Sequence, residues 1–457
     1  MLIVHVFPFQ LEWGTVYHST IQFLEEYEGN MKLRLPTNLD VKNKTVLVRV
    51  DYNVPLKKVK NSWRVENDRR ILASFETIKF LQKNHTKIIL MTHLGRPKGK
   101  FEAGLSSEPV ARYLTKNLNI KTSFVDDCIG EKVQTAIDQL PAGGILLLEN
   151  LRFHPEEKKN DKKFARQLAN LADVYINEAF SSSHRAHAST EGVTHYLPSF
   201  AGFNLQKEVL TLHKLMTQPD HPFFIIVGGA KISDKIDVLE NLLQIADGVL
   251  VGGVVANNFL KAEGVEIHKS YLQDTPADLK KEGVNFVKLA DELIEETKTE
   301  KILKDGYIPL PKILYPIDVI AAASPDSTQT QVIDLIHDMK DSTHDKNLMY
   351  LDIGPKTIKL YQELINQART IFWNGPMGYF EKTPFRTGTV KIAQALAKAS
   401  ARTVAGGGDT VDLIADLELE KNFTYISTAG GASLLFLAGQ KLPALNPLTI
   451  GTRKHYS

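Results

Sequence analysis

The sequence predicts an α/β chain of two doubly wound parallel-sheet domains, joined by a connecting helix with a hinge and a cleft between them. Three observations carry this. From Thr45 onward, an apolar β-branched run, a polar or glycine-rich stop and a helical stretch follow one another repeatedly. Strands alternating with helices build parallel sheets covered on both faces. At 457 residues the chain exceeds one ordinary core, so two domains of roughly 150–200 residues each are expected. The strand endings also differ between halves: arginine, histidine, aspartate and asparagine in the first, mostly glycines in the second.

Hydrophobic residues make up 43% and charged residues 24% of the sequence, as in a soluble globular chain rather than a disordered one. A formal net charge of +2 gives no whole-molecule reason to bind nucleic acid or a membrane, so any anion site is local. The single cysteine, Cys128, excludes an internal disulfide and fits a reducing, cytoplasmic compartment. "MLIVHVFPFQLEW" is apolar for only a short run and holds His5 and Pro8. A bilayer span needs about 20 residues, and the charged start of a signal peptide is missing. "FLEEYEGN" then precedes a second methionine, Met31. Residues 1–30 read as a poorly attached extension, or as an upstream start that cells leave unused.

Residues 31–203 hold the strands "TVLVRV", "KIILMT", "GILLLEN" and "DVYINEAF". Ligands of open parallel sheets bind beyond the carboxyl ends of the strands. That rule gathers Asp51 and Asn53 of "RVDYN", His93 and Arg96 of "THLGRP", Arg152 of "ENLRFH", and His184, Arg185 and His187 of "SHRAH" around one mouth. Arg70 in "VENDRRIL" opens the helix after the first strand and leans over it. Taken singly, an arginine in such a place is ordinarily a surface or ion-pairing residue, and alternation assigns Arg49 to that class. Four arginines on one rim repel one another unless an anion joins them. The planar guanidinium fork suits phosphate and carboxylate, and hydrogen bonds to charged groups contribute about 1.5–3 kcal/mol each. Asp51 and Asn53 accept hydrogen bonds, so the ligand should also carry hydroxyls. A small phosphorylated hydroxy acid fits. His184 and His187 as a metal pair lack a third ligand nearby in sequence.

Residues 204–218 read as the connecting helix: Leu205, Val209, Leu212 and Leu215 keep helical spacing, and Pro219 and Pro222 end it. In 219–430 the runs are "FFIIVGG", "GVLVGG", "NLMYLDIG", "TIFWNGP", "RTVAGGG" and "TYISTAGG". "IIVGGAKISDKI" reads as a strand, two glycines and a helix with Lys231 and Lys235 four apart on one face. Glycine lets backbone amides approach phosphate, and a helix N-terminus adds about half a positive charge. "VAGGGDTVDLI" repeats the geometry with Asp409 and Thr410 at the helix start. An acid among phosphate-binding amides calls for a metal, so Asp409 reads as a Mg²⁺ ligand. "STAGGASLL" offers another helix start at Gly430 and Gly431. Each glycine pair alone is a tight strand-to-helix turn; together with the lysines and the Asp-Thr pair they favour a nucleotide. Neither G-x-x-x-x-G-K-[ST] nor G-x-G-x-x-G occurs, which supports neither a P-loop nor a dinucleotide binder.

The motifs "RVDYNVP", "HLGRP", "LLENLRFH", "HRAHAST", "GGAKISDKI", "LDIGPKT", "WNGPMGYFE" and "GGGDT" together resemble the phosphoglycerate kinase family, over nearly the whole chain from Met31 to Leu448. The resemblance implies reversible phosphoryl transfer from 1,3-bisphosphoglycerate to ADP, giving 3-phosphoglycerate and ATP in glycolysis, with Mg²⁺ on Asp409. It implies substrate contacts from Asp51, Asn53, Arg70, His93, Arg96, Arg152 and Arg185. Nucleotide contacts would come from Gly229, Lys231, Lys235, Asn374, Pro376, Glu381, Gly407, Gly408, Asp409 and Thr410. Catalytic charge would come from Arg70 and Lys231 with the helix starts at Gly407 and Gly430. It further implies a monomer whose segment 431–457 returns to the first domain. Four positions depart from the family's usual residues: Glu178 and Ser181 for aspartate and glycine, Val254 for a third glycine near the adenine, and Ala429 for glycine. None removes a charged catalytic group, so they bear on affinity rather than on reaction. Two other readings are open. A catalytically weak binding protein on the same fold predicts loss of Arg70, Lys231 or Asp409, and all three are present. A doubly wound dehydrogenase predicts a G-x-G-x-x-G turn followed by an acid about 20 residues on, which is missing.

Overall fold

The computed structural model describes residues 32–274, 283–304, 306, 308–336 and 346–450; the extension expected at 1–30 lies outside them. In the first domain the strands are β1 (Thr45–Arg49), β2 (Lys87–Met91), β3 (Thr122–Val125), β4 (Ile145–Leu148), β5 (Val174–Asn177) and β6 (Ser199–Ala201). They form one parallel sheet in the order β3-β4-β2-β1-β5-β6. Every residue of β4 and β5 is buried, as expected where helices cover both faces. β1 has β2 on one side and β5 on the other, so the strand order reverses there. A crevice opens beyond the carboxyl end of such a strand, and that end leads into Val50, Asp51, Tyr52 and Asn53. A hairpin of Leu56–Val59 and Ser62–Val65, unmarked by any strong sequence signal, separates β1 from the short helix Arg69–Ala73.

The second domain repeats the plan with β7 (Phe223–Val227), β8 (Gly248–Val251), β9 (Ile313–Leu314), β10 (Thr370–Asn374), β11 (Arg402–Gly406) and β12 (Tyr425–Ile426), in the order β9-β8-β7-β10-β11-β12. The reversal falls between β8 and β10, at the end of β7. One run behaves differently from its sequence pattern. Within "NLMYLDIG", Met349–Ile353 does not join this sheet but pairs antiparallel with Asp318–Ala322, which also pairs with Gln331–Asp334. The connection from Ala322 to Gln331 carries no helix, so the chain cannot cross over and returns antiparallel. The buried Asp318 then holds the start of the next helix, Pro355–Gln367, accepting from the N–H groups of Lys356 (2.9 Å) and Thr357 (2.7 Å).

The helix Phe203–Thr217 links the two sheets. Its Leu205, Val209, Leu212 and Leu215 are buried in one apolar cluster that runs from Phe180 and Ala201 of the first domain to Phe223, Val227 and Phe436 of the second. The Phe180 and Phe436 rings meet edge to face at 5.8 Å. Two buried carboxylates tie the start and the middle of this helix to its surroundings. Glu178 accepts from the Asn204 N–H (3.1 Å), the Leu205 N–H (3.4 Å) and the Thr77 hydroxyl (2.8 Å). Glu208, fully buried, accepts from the Thr428 N–H (2.9 Å) and the hydroxyls of Ser427 (2.9 Å) and Thr428 (3.1 Å). Beyond the last helix, Gly431–Leu437, the chain lies on the first domain. Ala444 N–H donates to the Ser183 carbonyl (3.1 Å), Arg34 N–H to Leu448 (2.8 Å), and Ile450 N–H to Lys32 (2.7 Å).

Glu208→Ala leaves the half-buried Thr428 N–H and hydroxyl and the buried Ser427 hydroxyl without their acceptor. Loss of stability on the order of 3 kcal/mol is expected, read as a lowered urea midpoint; a midpoint within error of wild type would show that the tie is energetically idle.

Candidate active site

Beyond β1 and β2, the first domain builds a positively charged cup. Arg49 is its buried base, only 1% exposed. The alternation argument placed it among surface or ion-pairing side chains, and the structure makes it an interior one. Nε donates to the Ser189 hydroxyl (2.9 Å), Nη1 to the Val50 carbonyl (2.5 Å), and Nη2 to Nδ1 of His93 (2.9 Å). Arginine carries no acceptor, so His93 Nδ1 must be the unprotonated nitrogen and its proton sits on Nε2. Burial, with Arg49, Arg152 and Arg185 close by, pushes the His93 pKa well below the usual imidazole range. The ring is a neutral donor.

Arg152 is likewise buried. Nη1 donates to the Gly95 carbonyl (2.7 Å), while Nε has no partner among the described residues. Burial and the nearby Arg49 and Arg185 pull its pKa down to about 10. The buried counter-charge is Glu157, which accepts from the Ser189 N–H (2.9 Å) and hydroxyl (2.6 Å). Arg96 and Arg185 stand exposed on the rim, near enough to Arg152 to depress its pKa. Arg70 reaches in from the side, Nη1 donating to Asp51 Oδ2 at 2.9 Å. The Ser181 hydroxyl donates to the same oxygen (2.6 Å), and Asn53 Oδ1 accepts from the Gly95 N–H (2.9 Å). The first-domain candidates are therefore brought together. His184 and His187 carry depressed pKa values, through burial first and Arg185, Arg152 and, for His187, Arg49 next. They join no metal cluster among the described residues.

On the second domain, the loops after β7, β8 and β10 pack backbone against backbone. Gly229 N–H donates to the Pro376 carbonyl (2.8 Å), Gly253 N–H to Met377 (2.8 Å), and Val254 N–H to Gly229 (3.0 Å). Gly229 has φ 98°, a left-handed geometry that a side chain would strain. These loops and the Met349–Ile353 strand line an apolar cleft of about 990 Å³ including its mouth. Gly229, Val254, Pro376, Glu381 and Asp409 are on its wall.

Asn374 ends β10, 3% exposed, with Nδ2 unpartnered among the described residues and aimed at Gly407. Gly407 and Gly408 begin the helix Gly408–Asp416, and its Thr410 hydroxyl accepts from the Gly375 N–H (2.8 Å). Lys235 is buried, and burial lowers its pKa although Asp234 and Asp409 oppose this. One expectation needs correction: Lys231 and Lys235 do not share a helix face. The helix starts only at Ile236, because the turn from Ile232 to Lys235, closed by Lys235 N–H to the Ile232 carbonyl (2.8 Å), comes first. Lys231 is left exposed in a loop, its carbonyl near Lys235 Nζ (3.5 Å).

The two sides touch. Arg69, next to Arg70, pairs with Glu420 (3.2 Å) and donates to the Val411 carbonyl in the first turn of Gly408–Asp416 (3.5 Å). A small crevice is lined by Asp51, Arg70, Ser181 and Asn204 together with Thr428, two residues before Gly430 at the start of the last helix.

The sequence model of the family described as "Phosphoglycerate kinase" matches residues 37–440. This chain belongs to the phosphoglycerate kinase family. The phosphoglycerate kinase of Moorella thermoacetica is 45% identical over 412 residues, covering 90% of this chain and 98% of the relative. That of Pelotomaculum thermopropionicum is 44% identical over 411 residues, covering 90% and 98%. The solved phosphoglycerate kinase of Coxiella burnetii superposes with a TM-score of 0.75 at 36% identity, covering 91% of this chain and 98% of that one. The chain is thus a glycolytic kinase that transfers phosphate to a carboxyl group and uses ATP and ADP as substrates. The dehydrogenase and binding-protein readings are not favoured. Among the described residues no helix is long and apolar enough to cross a membrane.

Within this phosphoglycerate kinase fold, two side chains central to the cup escaped sequence reasoning. Glu157 lies in "HPEEKK", which reads as a solvated charge run, and nothing in that run marks one glutamate for burial. Arg49 carries a signal of its own: an arginine inside an otherwise apolar strand is a charge the fold must pair. Burial pushes the His187 pKa from 6.5 down to about 3, helped by Arg49, Arg152 and Arg185. Between those values the unfolded chain binds a proton that the folded one refuses, so this group costs stability as pH falls from about 6.5 toward 3. Thermal midpoints of wild type and His187→Gln should therefore converge, or cross in favour of the variant, as pH is lowered through that window. Parallel profiles would remove His187 from the acid response.

Proposed function

We propose that the cup binds 3-phosphoglycerate or 1,3-bisphosphoglycerate, that the glycine-walled cleft binds ADP or ATP, and that transfer occurs where the two meet. The observation that carries this is the Arg69 bridge, because it brings the neighbour of Arg70 onto the first turn of the helix headed by Gly407 and Asp409. In this reading the substrate phosphate sits among His93, Arg96, Arg152 and Arg185, with the His93 Nε2–H and the open Arg152 Nε as ready donors. Asp51 and Asn53 accept from the substrate hydroxyl and set its orientation. Arg70 faces the reacting carboxyl group, which needs no general base because it is already ionised.

Asn374, Lys235 and the amides at Gly407, Gly408 and Gly430 receive the nucleotide phosphates, with Gly229, Pro376, Glu381 and Thr410 shaping their surroundings. Charge around the moving phosphoryl group comes from Arg70 and Lys231, and in-line transfer needs little else from the protein. The donor set also fits Mg²⁺. Asp409 is exposed beside amides that attract phosphate and makes no hydrogen bond or ion pair among the described residues, and Mg²⁺ is commonly held by one or two carboxylates plus substrate phosphates. Bound there, the ion would offset nucleotide charge. Val254 on the cleft wall, where the family usually has glycine, narrows the space for the base.

The same proposal takes the protein as a cytoplasmic monomer with residues 204–218 as the connecting helix, 31–203 and 219–430 as the two domains, 431–457 returning to the first, and closure about the connecting helix to exclude water. Of these, 451–457 lie outside the described residues.

A coupled assay of ATP-dependent phosphorylation of 3-phosphoglycerate tests the whole. Arg70→Ala is expected to lower kcat by roughly 10³ or more, by analogy with charge-stabilising arginines in other phosphoryl transfers, with thermal stability retained; near-normal turnover would exclude Arg70 from the transferring geometry. Small-angle scattering should show compaction when both substrates are bound, beyond that with either alone; an unchanged radius of gyration would rule out closure.

A further inference from the structure

A second cluster of chemistry lies outside the cleft. Asp127 and Cys128 follow β3, His154 follows the short turn after β4, and these strands are neighbours in the sheet. His154 Nε2 lies 2.9 Å from Asp127 Oδ1. The Cys128 thiol donates to the Glu149 carbonyl at 3.0 Å. One ligand atom from each of the three side chains lies within 4.8 Å of the others. The stacked ring of Phe164 (5.0 Å, 29°) orients His154 from behind.

We propose that Asp127, Cys128 and His154 form a binding site for a thiophilic divalent cation of the zinc class. Sulfur, imidazole nitrogen and carboxylate oxygen are the donor set that selects such ions over Mg²⁺, which prefers oxygen alone. Bonds of about 2.3 Å to sulfur and about 2.0–2.1 Å to nitrogen bring ligand atoms somewhat closer together than the 4.8 Å limit. The Asp127 and His154 side chains are 45% and 28% exposed, so they can draw inward while the buried thiol stays fixed. Their exposed side leaves a fourth position for water. On binding, the thiol proton passes to solvent, sulfur ligates as thiolate, and the Glu149 carbonyl gives up its S–H donor. The ion joins the loop after β3 to the segment that carries Arg152, apart from the nucleotide cleft.

Because Cys128 is the only cysteine, cobalt provides a selective probe. Titrating the full, nucleotide-free chain with Co²⁺ under a non-thiol reductant should produce a thiolate-to-metal charge-transfer band saturating at about one equivalent. Zn²⁺ should abolish the band and Mg²⁺ should not. Cys128→Ser should lack it, and His154→Gln should weaken Co²⁺ binding roughly tenfold or more while keeping the wild-type circular dichroism spectrum. If a variant fails to fold, the wild-type titration with Zn²⁺ and Mg²⁺ competition still decides. No band in wild type at excess Co²⁺, a band insensitive to Zn²⁺, or an undiminished band in folded His154→Gln overturns the site.

Discussion

The cup depends on burying positive charge, and what makes that possible is the carboxylate of Glu157. Arg49, Arg152 and Arg185 are close enough to perturb the same imidazoles, and an isolated buried guanidinium would be prohibitively unstable. Glu157 has no exposure itself. It meets Arg49 through the Ser189 hydroxyl, which donates to the carboxylate and accepts from Arg49 Nε. The arrangement leaves the cup under-compensated. Besides Asp51, which pairs with Arg70, one buried acid faces several cations, and these cations together with burial hold His93 and His187 toward their neutral forms.

The same plan serves different chemistry in the two domains. Each sheet reverses its strand order at a central strand, and each opens its crevice there. The first domain fills the crevice with side chains from strand ends, suiting a small ligand grasped by charge. The second lines it with closely packed glycine loops and apolar side chains, largely without charged groups from strand ends. Long-range placement follows from the connecting helix, whose apolar stripe belongs to a core shared by both domains. Glu178 and Glu208 anchor it at polar points. Burial pushes the Glu178 pKa up to about 8 against the pull of three donors, so this anchor carries its own electrostatic tension beside the crevice it lines with Asp51 and Arg70.

Much of this was legible in the sequence because strands buried on both faces leave continuous apolar runs, and because their polar endings have nowhere to go but the crevice. Asp51, His93 and Arg152 could be placed on that basis, whereas Asn374 followed only from the family resemblance. Where sequence reasoning stopped, the missing information was pairing. The run around Met349 has a parallel-strand composition, yet its partner Asp318–Ala322 comes in antiparallel. Glu157 and Glu208 look like ordinary solvated charges, since burial depends on donors contributed from distant segments. Lys231 and Lys235 have helical spacing, but the turn at Ile232 delays the helix past both.

Residues 444–450 occupy the flank of the first domain, with Leu445 and Leu448 buried and backbone hydrogen bonds to Ser183, Arg34 and Lys32. During synthesis this piece leaves the ribosome only after the entire second domain. The nascent first domain must therefore persist with an uncovered apolar flank for most of translation, and its completion is deferred until the chain has doubled back.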